Sequence, residues 1–426
     1  MNPYTFKKLS AAAALFGSTS IAFAGGSFQE AAEHLDLDGD FVGFMDFDGD
    51  GQAIGEKLNV IYQDMAQVIP DMPPIPLDFP AVFETLGFGS VRSMGASSSQ
   101  IESGLYRNRS VTLLEGNPAG LFKMYGLNPI GFRAAEIAPA DATSVFSGQI
   151  DLNELVNTAK ALASRVMGPM GEGMVMQGLL QPIPGTDVTA QEAVAALSGG
   201  MDLIVHQSME NPKAPDIKVW VSLKGAGVLL PRLEPLIKEM GFQFVDTKSG
   251  RVADLSALMQ DAPIDLFVEA PAGTDDLLIY TDKEWVSTFG AGKSGLTGTD
   301  AYKKVAGRLP KDAAMYAYSS GFDTKQLEGI LSQNPDTAAV APMIVKAVDS
   351  LFGGFISPSA SATYRSGDAL ITEGYGGFSY KSLVVALPAG IGAGIGAGIA
   401  AEQSKKANAW QGHEGQDHGS DHPAAE

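Results

Sequence analysis

The chain has 426 residues, carries a formal net charge of −20 at pH 7 and contains no cysteine. Such an acidic surface repels phosphate backbones, which argues against nucleic acid as a partner. Without cysteine the chain has neither a disulfide framework nor a thiol nucleophile. The hydrophobic fraction of 45 % suffices for one large or two ordinary globular domains and excludes a disordered protein.

The first 24 residues have the pattern of a secretory signal peptide. Lys7 and Lys8 supply the positive start, Leu9–Ala22 form an apolar run, and a small-x-small cleavage site ends at Ala24. The mature chain would then begin at Gly25. We therefore expect an exported protein on the periplasmic or extracytoplasmic side of the cell envelope.

An Asp-rich segment follows the first predicted helix, Phe28–His34, and brackets a strand predicted over Phe41–Phe47. Three carboxylates stand at the end of this strand and just after it: Asp46, Asp48 and Asp50. With Gly51 in the sixth position, their spacing resembles the beginning of an EF-hand calcium loop. Lys57 stands at position 12, where a bidentate Glu is needed, so the pattern predicts at most a weak calcium site. The alternative is a strand, an Asp/Gly turn and a helix N-terminus, where the dipole stabilises carboxylates.

An amphipathic helix and a β-hairpin are predicted next. Apolar residues with helical spacing precede Pro70 and form one stripe: Ile54, Leu58, Ile61, Met65 and Val68. Gly89–Ser97 and Ile101–Glu115 have the composition of two strands. We expect these strands to pair across a Ser-rich turn.

Two stretches of the chain share one pattern and predict an internal duplication. Ala138–Leu155 and Leu309–Leu331 each contain Pro, then an Asp-Ala pair, a β-prone apolar run and a second Asp. That second Asp, Asp151 or Asp323, has Glu or Gln three residues later, which is a capping-box pattern at a helix start. The pattern predicts a strand–turn–helix unit in each copy. Each helix is expected to bury one leucine against a sheet: Leu155 and Leu327.

The segment after the first of these helices is rich in methionine. It contains Met167, Met170, Met174 and Met176. Methionine is flexible and polarizable, which is typical of adaptable hydrophobic surfaces. One interpretation is a mobile flap over a hydrophobic cleft, and the other is a loop or frayed helix that fills an irregular gap in the core.

A glycine-rich apolar segment near the C-terminus predicts a transmembrane helix. Leu383–Ala401 carries no charge and would span roughly 28 Å as a helix. Lys405 and Lys406 follow as a stop-transfer pair. Glycines at every fourth position form a face on which a partner helix could pack closely: Gly390, Gly394 and Gly398.

These features divide the chain into six predicted parts. They are a signal peptide (1–24), the N-terminal part of an ectodomain (25–138), a first repeat unit (139–309), a second, partial repeat unit (310–382), a transmembrane anchor (383–401) and a disordered polar tail (402–426). Strand and helix patterns alternate, with mostly hairpin-like connections. The predicted fold class is α+β, with largely antiparallel sheets and packed helices, internal duplication and one C-terminal transmembrane helix.

Catalytic motifs are scarce in this chain. Outside the tail only His34 and His206 are available as imidazole bases, and His206 lies within an apolar strand pattern. No nucleophile elbow, zinc signature or dinucleotide fingerprint occurs. The sequence therefore favours a protein that is not an enzyme.

Three stretches together resemble a domain-of-unknown-function family of exported bacterial envelope proteins. They are LPKDA at Leu309–Ala313, LTGTDAYKKVAGRLP overlapping it, and RNRSVTLLEGNPAGLFKMYG upstream of the first copy. The resemblance covers most of Leu35–Tyr380. It implies a location in the cell envelope and a two-lobed ectodomain of sheet and helix, and the family has no catalytic residues to transfer.

The sequence thus predicts a non-enzymatic, membrane-anchored envelope protein that binds an apolar ligand or a protein partner. Calcium, at Asp46, Asp48 and Asp50, is the one cofactor that a pattern suggests. Two alternatives remain at this point. They are a calcium-dependent structural or adhesion module, and a hydrolase whose catalytic carboxylates the sequence does not identify.

Overall fold

The computed structural model describes residues 26–384, except 70–77, 126–127, 209–215, 260–263 and 291–294 and positions 323, 334, 339 and 355. The fold is α+β, with one large antiparallel sheet and many helices, as the sequence predicted. Within the described residues, thirteen strands form the sheet: β1 (Phe41–Asp46), β2 (Val91–Glu102), β3 (Leu105–Leu114), β4 (Ser144–Gly148), β5 (Met201–Ser208), β6 (Asp216–Leu223), β7 (Phe244–Asp246), β8 (Gly250–Asp254), β9 (Phe267–Pro271), β10 (Leu277–Tyr280), β11 (Met315–Ser319), β12 (Ser359–Ser366) and β13 (Ala369–Gly376).

The α-helices of the described residues lie mainly between strands. They are α1 (Gly26–Ala32), α2 (Asp50–Val68), α3 (Phe79–Leu86), α4 (Arg133–Ile137), α5 (Leu152–Met167), α6 (Pro169–Leu180), α7 (Ala190–Leu197), α8 (Leu230–Glu239), α9 (Lys283–Val286), α10 (Asp300–Val305), α11 (Thr324–Gln333), α12 (Pro335–Ala338) and α13 (Ala341–Phe352).

The antiparallel pair β4 and β11 forms the centre of the sheet, and the other strands extend from it as two half-sheets. Half-sheet I runs outward in the order β4, β5, β6, β10, β9, β8 and β7. Half-sheet II runs outward in the order β11, β12, β13, β3, β2 and β1. Half-sheet I is built within the segment 139–309, whereas half-sheet II combines strands from 310–382 with strands from 25–138.

The two faces of the sheet differ in burial because successive side chains of a strand point to opposite faces. Along β11, Tyr316 and Tyr318 are buried, whereas Met315, Ala317 and Ser319 are partly exposed. The strands β4, β5, β12 and β13 show the same alternation. We call the buried side the core face and the other side the outer face.

Short helices and the loops beside them cover the core face. Phe132, which precedes α4, stacks on Tyr316 with the ring centroids 5.1 Å apart. At the other half-sheet, Trp220 of β6 lies edge-on to Phe289 at 5.6 Å. Burial of such aromatic side chains supplies much of the hydrophobic stabilisation of this side of the sheet.

The core face also holds buried carboxylates, and each has a hydrogen-bond partner. Glu373 is 4 % exposed and accepts from Arg109 Nη2 at 2.7 Å and from the Tyr375 hydroxyl at 2.6 Å. Asp202 is 2 % exposed and accepts from Arg133 Nε at 3.2 Å. The same arrangement holds for Asp36 with Arg107, and for Glu269 with Tyr280. Pairing offsets the desolvation cost of these charges.

The hairpin predicted around the serines is confirmed, but its turn lies elsewhere. Ser97 and Ser98 are inside β2 and fully buried, and the turn falls at Gly104, whose φ of +72° favours glycine. Polar contacts compensate the burial, because Ser97 Oγ accepts a hydrogen bond from the Asp36 backbone N–H at 2.9 Å. The prediction of a Ser-rich turn was therefore wrong.

The apolar stripe predicted for α2 forms a helix but does not reach the core. Ile54, Ile61 and Val68 are 44 %, 52 % and 79 % exposed. The contact of α2 with α3 is made at Gly55 instead, where a Cβ atom would come within 2.6 Å of the Pro80 nitrogen. Asn59 and Tyr62 extend this contact to Phe79 of α3, so the face that packs is not centred on the predicted stripe.

Both copies of the repeated pattern contain a strand followed by a helix. In the first copy, Asp151 caps α5 by accepting a hydrogen bond from the Asn153 backbone N–H at 3.0 Å. Position 323 lies outside the described residues. The expectation that Leu155 is buried was wrong, since it is 40 % exposed, whereas Leu327 is partly buried. The residue that α5 buries is Thr158, because this helix packs against α3, α6 and α7.

The predicted signal peptide and polar tail lie outside the described residues, as does most of the predicted anchor 383–401. Only Leu383 and Val384 of that anchor are described. Within the described ranges, no helix is long and apolar enough to cross a membrane.

Candidate ligand-binding groove

A groove of about 370 Å³ lies on the outer face of half-sheet II. Small side chains form its floor because they face outward at neighbouring positions of β11, β12 and β13: Ala317, Ser319, Ser359, Ser361 and Gly374. Small-ligand pockets in proteins have volumes of about 300–1,000 Å³. The groove therefore has room for part of a small ligand.

The chain itself forms one wall of the groove after β13, at Phe378 and Tyr380. A buried amide holds this wall in place: Asn108 Nδ2 donates to the Phe378 carbonyl at 3.0 Å. Ser98 Oγ donates to Asn108 Oδ1 at 2.6 Å and accepts from the Tyr380 backbone N–H at 2.8 Å. The Tyr380 ring also lies 6.4 Å from the ring of Phe41 on β1. These contacts fix an aromatic wall over the strands β3, β2 and β1.

None of the described residues that line the groove has a charged side chain. Burial raises the pKa of the Tyr380 phenol, and a hydrogen bond with Ser110 offsets only part of this increase. The phenol therefore stays neutral at physiological pH. Such a surface suits apolar and uncharged polar groups, whereas an ion would lose hydration without gaining a counter-charge.

The groove continues into a row of apolar side chains across half-sheet I. Ala317 on β11 lies opposite Phe146 on β4, and the row continues on β5, β6 and β10 with Leu203, Val221 and Ile279. All five side chains are partly exposed on the outer face. Four steps between strands of about 4.8 Å give this row a length of roughly 19 Å. We call Ala317, Phe146, Leu203, Val221 and Ile279 the apolar row.

The outer face of half-sheet II beyond the groove mixes polar and apolar side chains, since Met45, Met94 and Leu370 also face outward. Thr363 and Thr372 exchange a hydrogen bond between their hydroxyls at 2.9 Å, and Ser110 and Thr112 follow on β3. Antiparallel sheets with one solvated face normally carry such polar residues on that face. Half-sheet I departs from this pattern, and a partly exposed apolar row is the kind of surface that marks a binding site.

The three Asp residues of the predicted calcium loop lie at the end of β1 and the start of α2. Asp46 Oδ1 accepts from the Asp48 backbone N–H at 3.1 Å, and Asp46 Oδ2 accepts from the Ser27 hydroxyl at 3.2 Å. Asp50 is the first residue of α2. Among the described residues, no group of three or more His, Asp or Glu side chains could hold a metal ion. Asp46, Asp48 and Asp50 thus do not form a ligand cluster in this structure, and weak calcium binding by them stays a prediction.

An open cleft of about 790 Å³ adjoins this turn, lined by acidic and aromatic residues that include Asp48, Glu84 and Phe88. Asp48 and Glu84 are exposed, so water already solvates their charges. This surface is therefore a solvated acidic cleft, and nothing in its exposed carboxylates requires a bound cation.

His206 contacts two carboxylates. Its Nδ1 lies 2.8 Å from the Asp141 carbonyl oxygen and 3.3 Å from Asp141 Oδ2, and its Nε2 lies 3.7 Å from Asp216 Oδ2. In the described part of the chain, no Ser, Thr or Lys side chain forms a hydrogen bond with this imidazole. The arrangement joins the end of β5 to the loop before β4, and it lacks the nucleophile that a catalytic pair needs.

A scan against protein-family models finds no match, and no curated protein or solved structure is significantly similar to this chain. The resemblance to an exported envelope family therefore remains a prediction.

The groove and the apolar row were not found from the sequence. A signal was present in the β12 segment SASATYRS, where small residues occupy both faces of the strand. A second signal was the unbroken apolar run Leu203–Val205 in β5. In a strand with one solvated face, apolar residues should alternate with polar ones.

Proposed function

We propose that the protein is a non-enzymatic, exported and membrane-tethered protein that binds an apolar ligand on the outer face of its sheet. The observation that carries this proposal is the apolar row, which remains partly exposed and opens into an uncharged groove. Burial of exposed apolar surface contributes about 25 cal/mol per Å². A ligand that covers this row would therefore gain binding free energy without any catalytic group.

The buried carboxylates support a binding protein over the hydrolase alternative. A hydrolase with two catalytic carboxylates needs them close together, with pKa values driven apart. Here Asp202 and Glu373 are each hydrogen-bonded to an arginine, and Glu269 is bonded to Tyr280. These carboxylates are held in structural pairs with cations and hydroxyls.

The same proposal includes the internal duplication and the C-terminal anchor. The copies 139–309 and 310–382 each contribute a central strand followed by a helix, and these strands pair with each other. The chain leaves the sheet at Phe378–Tyr380, shortly before the apolar segment 383–401 begins. A membrane anchor there would hold the groove close to the bilayer, which is a source of apolar ligands.

A neutral, environment-sensitive dye such as N-phenyl-1-naphthylamine tests the binding proposal. We expect its fluorescence to rise with the wild-type protein and to stay low with Leu203→Glu, which places a charge in the centre of the apolar row. Thr112→Glu is the matched control, because it adds the same charge on the outer face of half-sheet II, three strands away from Ala317 and the apolar row. Equal dye binding by both variants, with both folded by circular dichroism, would refute the proposed site.

A further inference from the structure

We propose that the edge strand β1 binds a cationic polypeptide segment in extended conformation, which adds one more strand to the sheet. This surface is separate from the groove and the apolar row, so the inference goes beyond the proposed function. The partner is defined by its chemistry: a strand of a second protein, with Lys or Arg on both sides of an uncharged centre. Its free backbone groups, its acidic flanks and the repulsion between two copies of those flanks favour this partner.

The outward side of β1 carries unpaired backbone groups. Among the described strands β1 pairs only with β2, so it ends the sheet. The Phe47 backbone N–H donates to the Arg92 carbonyl at 2.8 Å in the same register, so the odd-numbered residues of β1 bond to β2. Val42, Phe44 and Asp46 therefore direct their N–H and C=O groups away from the sheet. In the described part of the chain, no hydrogen bond reaches these backbone groups.

The opposite edge of the sheet is less suited to strand addition. That edge is β7, which is only three residues long, and short edge strands are one way in which proteins protect a sheet edge. β1 has six residues, and its Val42 and Met45 side chains are exposed on opposite faces. An added strand would form a ladder of hydrogen bonds along β1 and contact these apolar side chains.

Exposed carboxylates stand at both ends of β1. Asp38 and Asp40 precede the strand, and Asp46, Asp48 and Asp50 end it or follow it. None of these five side chains forms an ion pair with a Lys, Arg or His side chain in the described ranges. A strand with basic residues at both ends would bring opposite charges to both groups. Such complementarity speeds association and fixes the register of the bound strand.

The same carboxylates oppose pairing of β1 with a second copy of itself. In the symmetric register, with Phe44 opposite Phe44, Asp40 of each chain comes next to Asp48 of the other. With Val42 opposite Phe44, Asp40 lies opposite Asp46. Like charges at such positions destabilise a strand pair. The edge is thus protected against its own copy and open to a cationic strand.

The test measures fluorescence anisotropy of labelled peptides with the full-length protein at low ionic strength. The probe peptide has lysines at both ends of an alternating Val/Thr centre. One matched peptide has glutamates in place of the lysines, and another carries N-methylated amides throughout its centre, which removes backbone donors without changing the charge. We expect both to bind at least about tenfold more weakly than the probe, because the charge complementarity or the hydrogen-bond ladder is lost.

Variants of the protein locate the binding surface. Val42→Pro removes one outward N–H and places a ring across the edge, whereas Val42→Thr keeps the N–H, so only the proline variant should lose binding. Asp40→Asn/Asp48→Asn should weaken binding about fivefold and reduce its dependence on salt. Glu239→Gln/Asp275→Asn is the matched control, because it makes the same charge change at exposed positions on the side of half-sheet I.

Circular dichroism checks that each variant is folded, and the N-methylated peptide tests strand addition without any change to the protein. Equal binding of that peptide and the probe would overturn strand addition, because charge alone would then attract them. Unchanged binding by Asp40→Asn/Asp48→Asn, or no binding of the probe to the wild-type protein, would also overturn the proposal. Wild-type dimers that Val42→Pro abolishes would show that a second copy occupies this edge instead. Each of these outcomes is independent of dye binding at the apolar row.

Discussion

Ala317 of β11 lies directly opposite Phe146 of β4, at the point where the two half-sheets join. This pair is also the point where the small-residue groove meets the apolar row. A side chain larger than alanine at position 317 would therefore separate the two parts of the proposed site.

The first prediction concerns this junction. Ala317→Trp should lower dye affinity at least tenfold, because the indole would occupy the space that a ligand must cross. The side chain is partly exposed, so the protein should remain folded by circular dichroism. Val205→Ala, at a partly exposed position beside the row, is a control that removes volume without blocking the junction. Unchanged binding by the Trp variant would show that ligands do not pass this point.

The second prediction concerns the wall of the groove. Asn108→Ala would leave Ser98 Oγ and the Phe378 carbonyl without their buried partner. We expect a loss of about 1–3 kcal/mol in the free energy of unfolding, measured with urea. Asn153→Ala is the control, since it removes an exposed hydrogen bond to Ser198 and should cost much less. Equal losses in the two variants would contradict the role of Asn108.

The third prediction concerns the buried ion pair between Arg109 and Glu373. Arg109→Met would leave the Glu373 carboxylate buried without its cation, and such changes cost up to about 3–5 kcal/mol. Arg92→Met breaks an exposed pair with Glu30 and should destabilise the protein much less, because water and salt screen such pairs. Chemical denaturation of both variants measures the difference. A small effect at Arg109 would mean that Tyr375 alone satisfies this carboxylate.

The fourth prediction concerns pH. Hydrogen bonds from Arg232 and from the backbone and hydroxyl of Thr189 lower the pKa of Glu192 from 4.5 to about 2. A carboxyl whose pKa is lowered by folding stabilises the folded state above its unfolded pKa. This contribution should be complete above about pH 4.5 and should disappear as the pH falls towards 2.

Carboxyl carbon NMR of Glu192 measures this pKa directly. Arg232→Gln should return it towards 4.5, because the hydrogen bond from Arg232 is the largest cause of the lowered pKa and is lost in this variant. Arg251→Gln is the control and should leave Glu192 unchanged, since Arg251 pairs with Glu234 instead. A Glu192 pKa that does not respond to Arg232→Gln would show that Thr189 provides the whole effect.

The fifth prediction concerns topology. We expect the mature chain to begin at Gly25 and to fractionate with membranes, and a variant that lacks residues 383–426 to be released. N-terminal sequencing and membrane washing in high salt measure these outcomes. A chain that begins at Met1, or a full-length protein that salt removes from membranes, would contradict the signal peptide or the anchor, respectively.

Local patterns in the sequence were sufficient for most of the elements of this fold. The Asp151 cap of α5, the helix over 50–68 and the strands at 144–148 and 315–319 all follow from contacts between residues a few positions apart. Such short-range signals also gave the α+β class and the antiparallel pairing, because hairpin-like connections leave few alternatives.

Only the tertiary structure decided which strands meet and which faces stay open. Ala317 and Phe146 are far apart in sequence, and nothing local requires their strands to pair. The periodicity of α2 and α5 identified helices, but their apolar residues Ile54 and Leu155 remain exposed. The physical reason is that periodicity reports which side chains share a face, whereas burial depends on what packs against that face. The groove exists because small residues on three strands coincide at one place, and that coincidence is a property of the folded sheet.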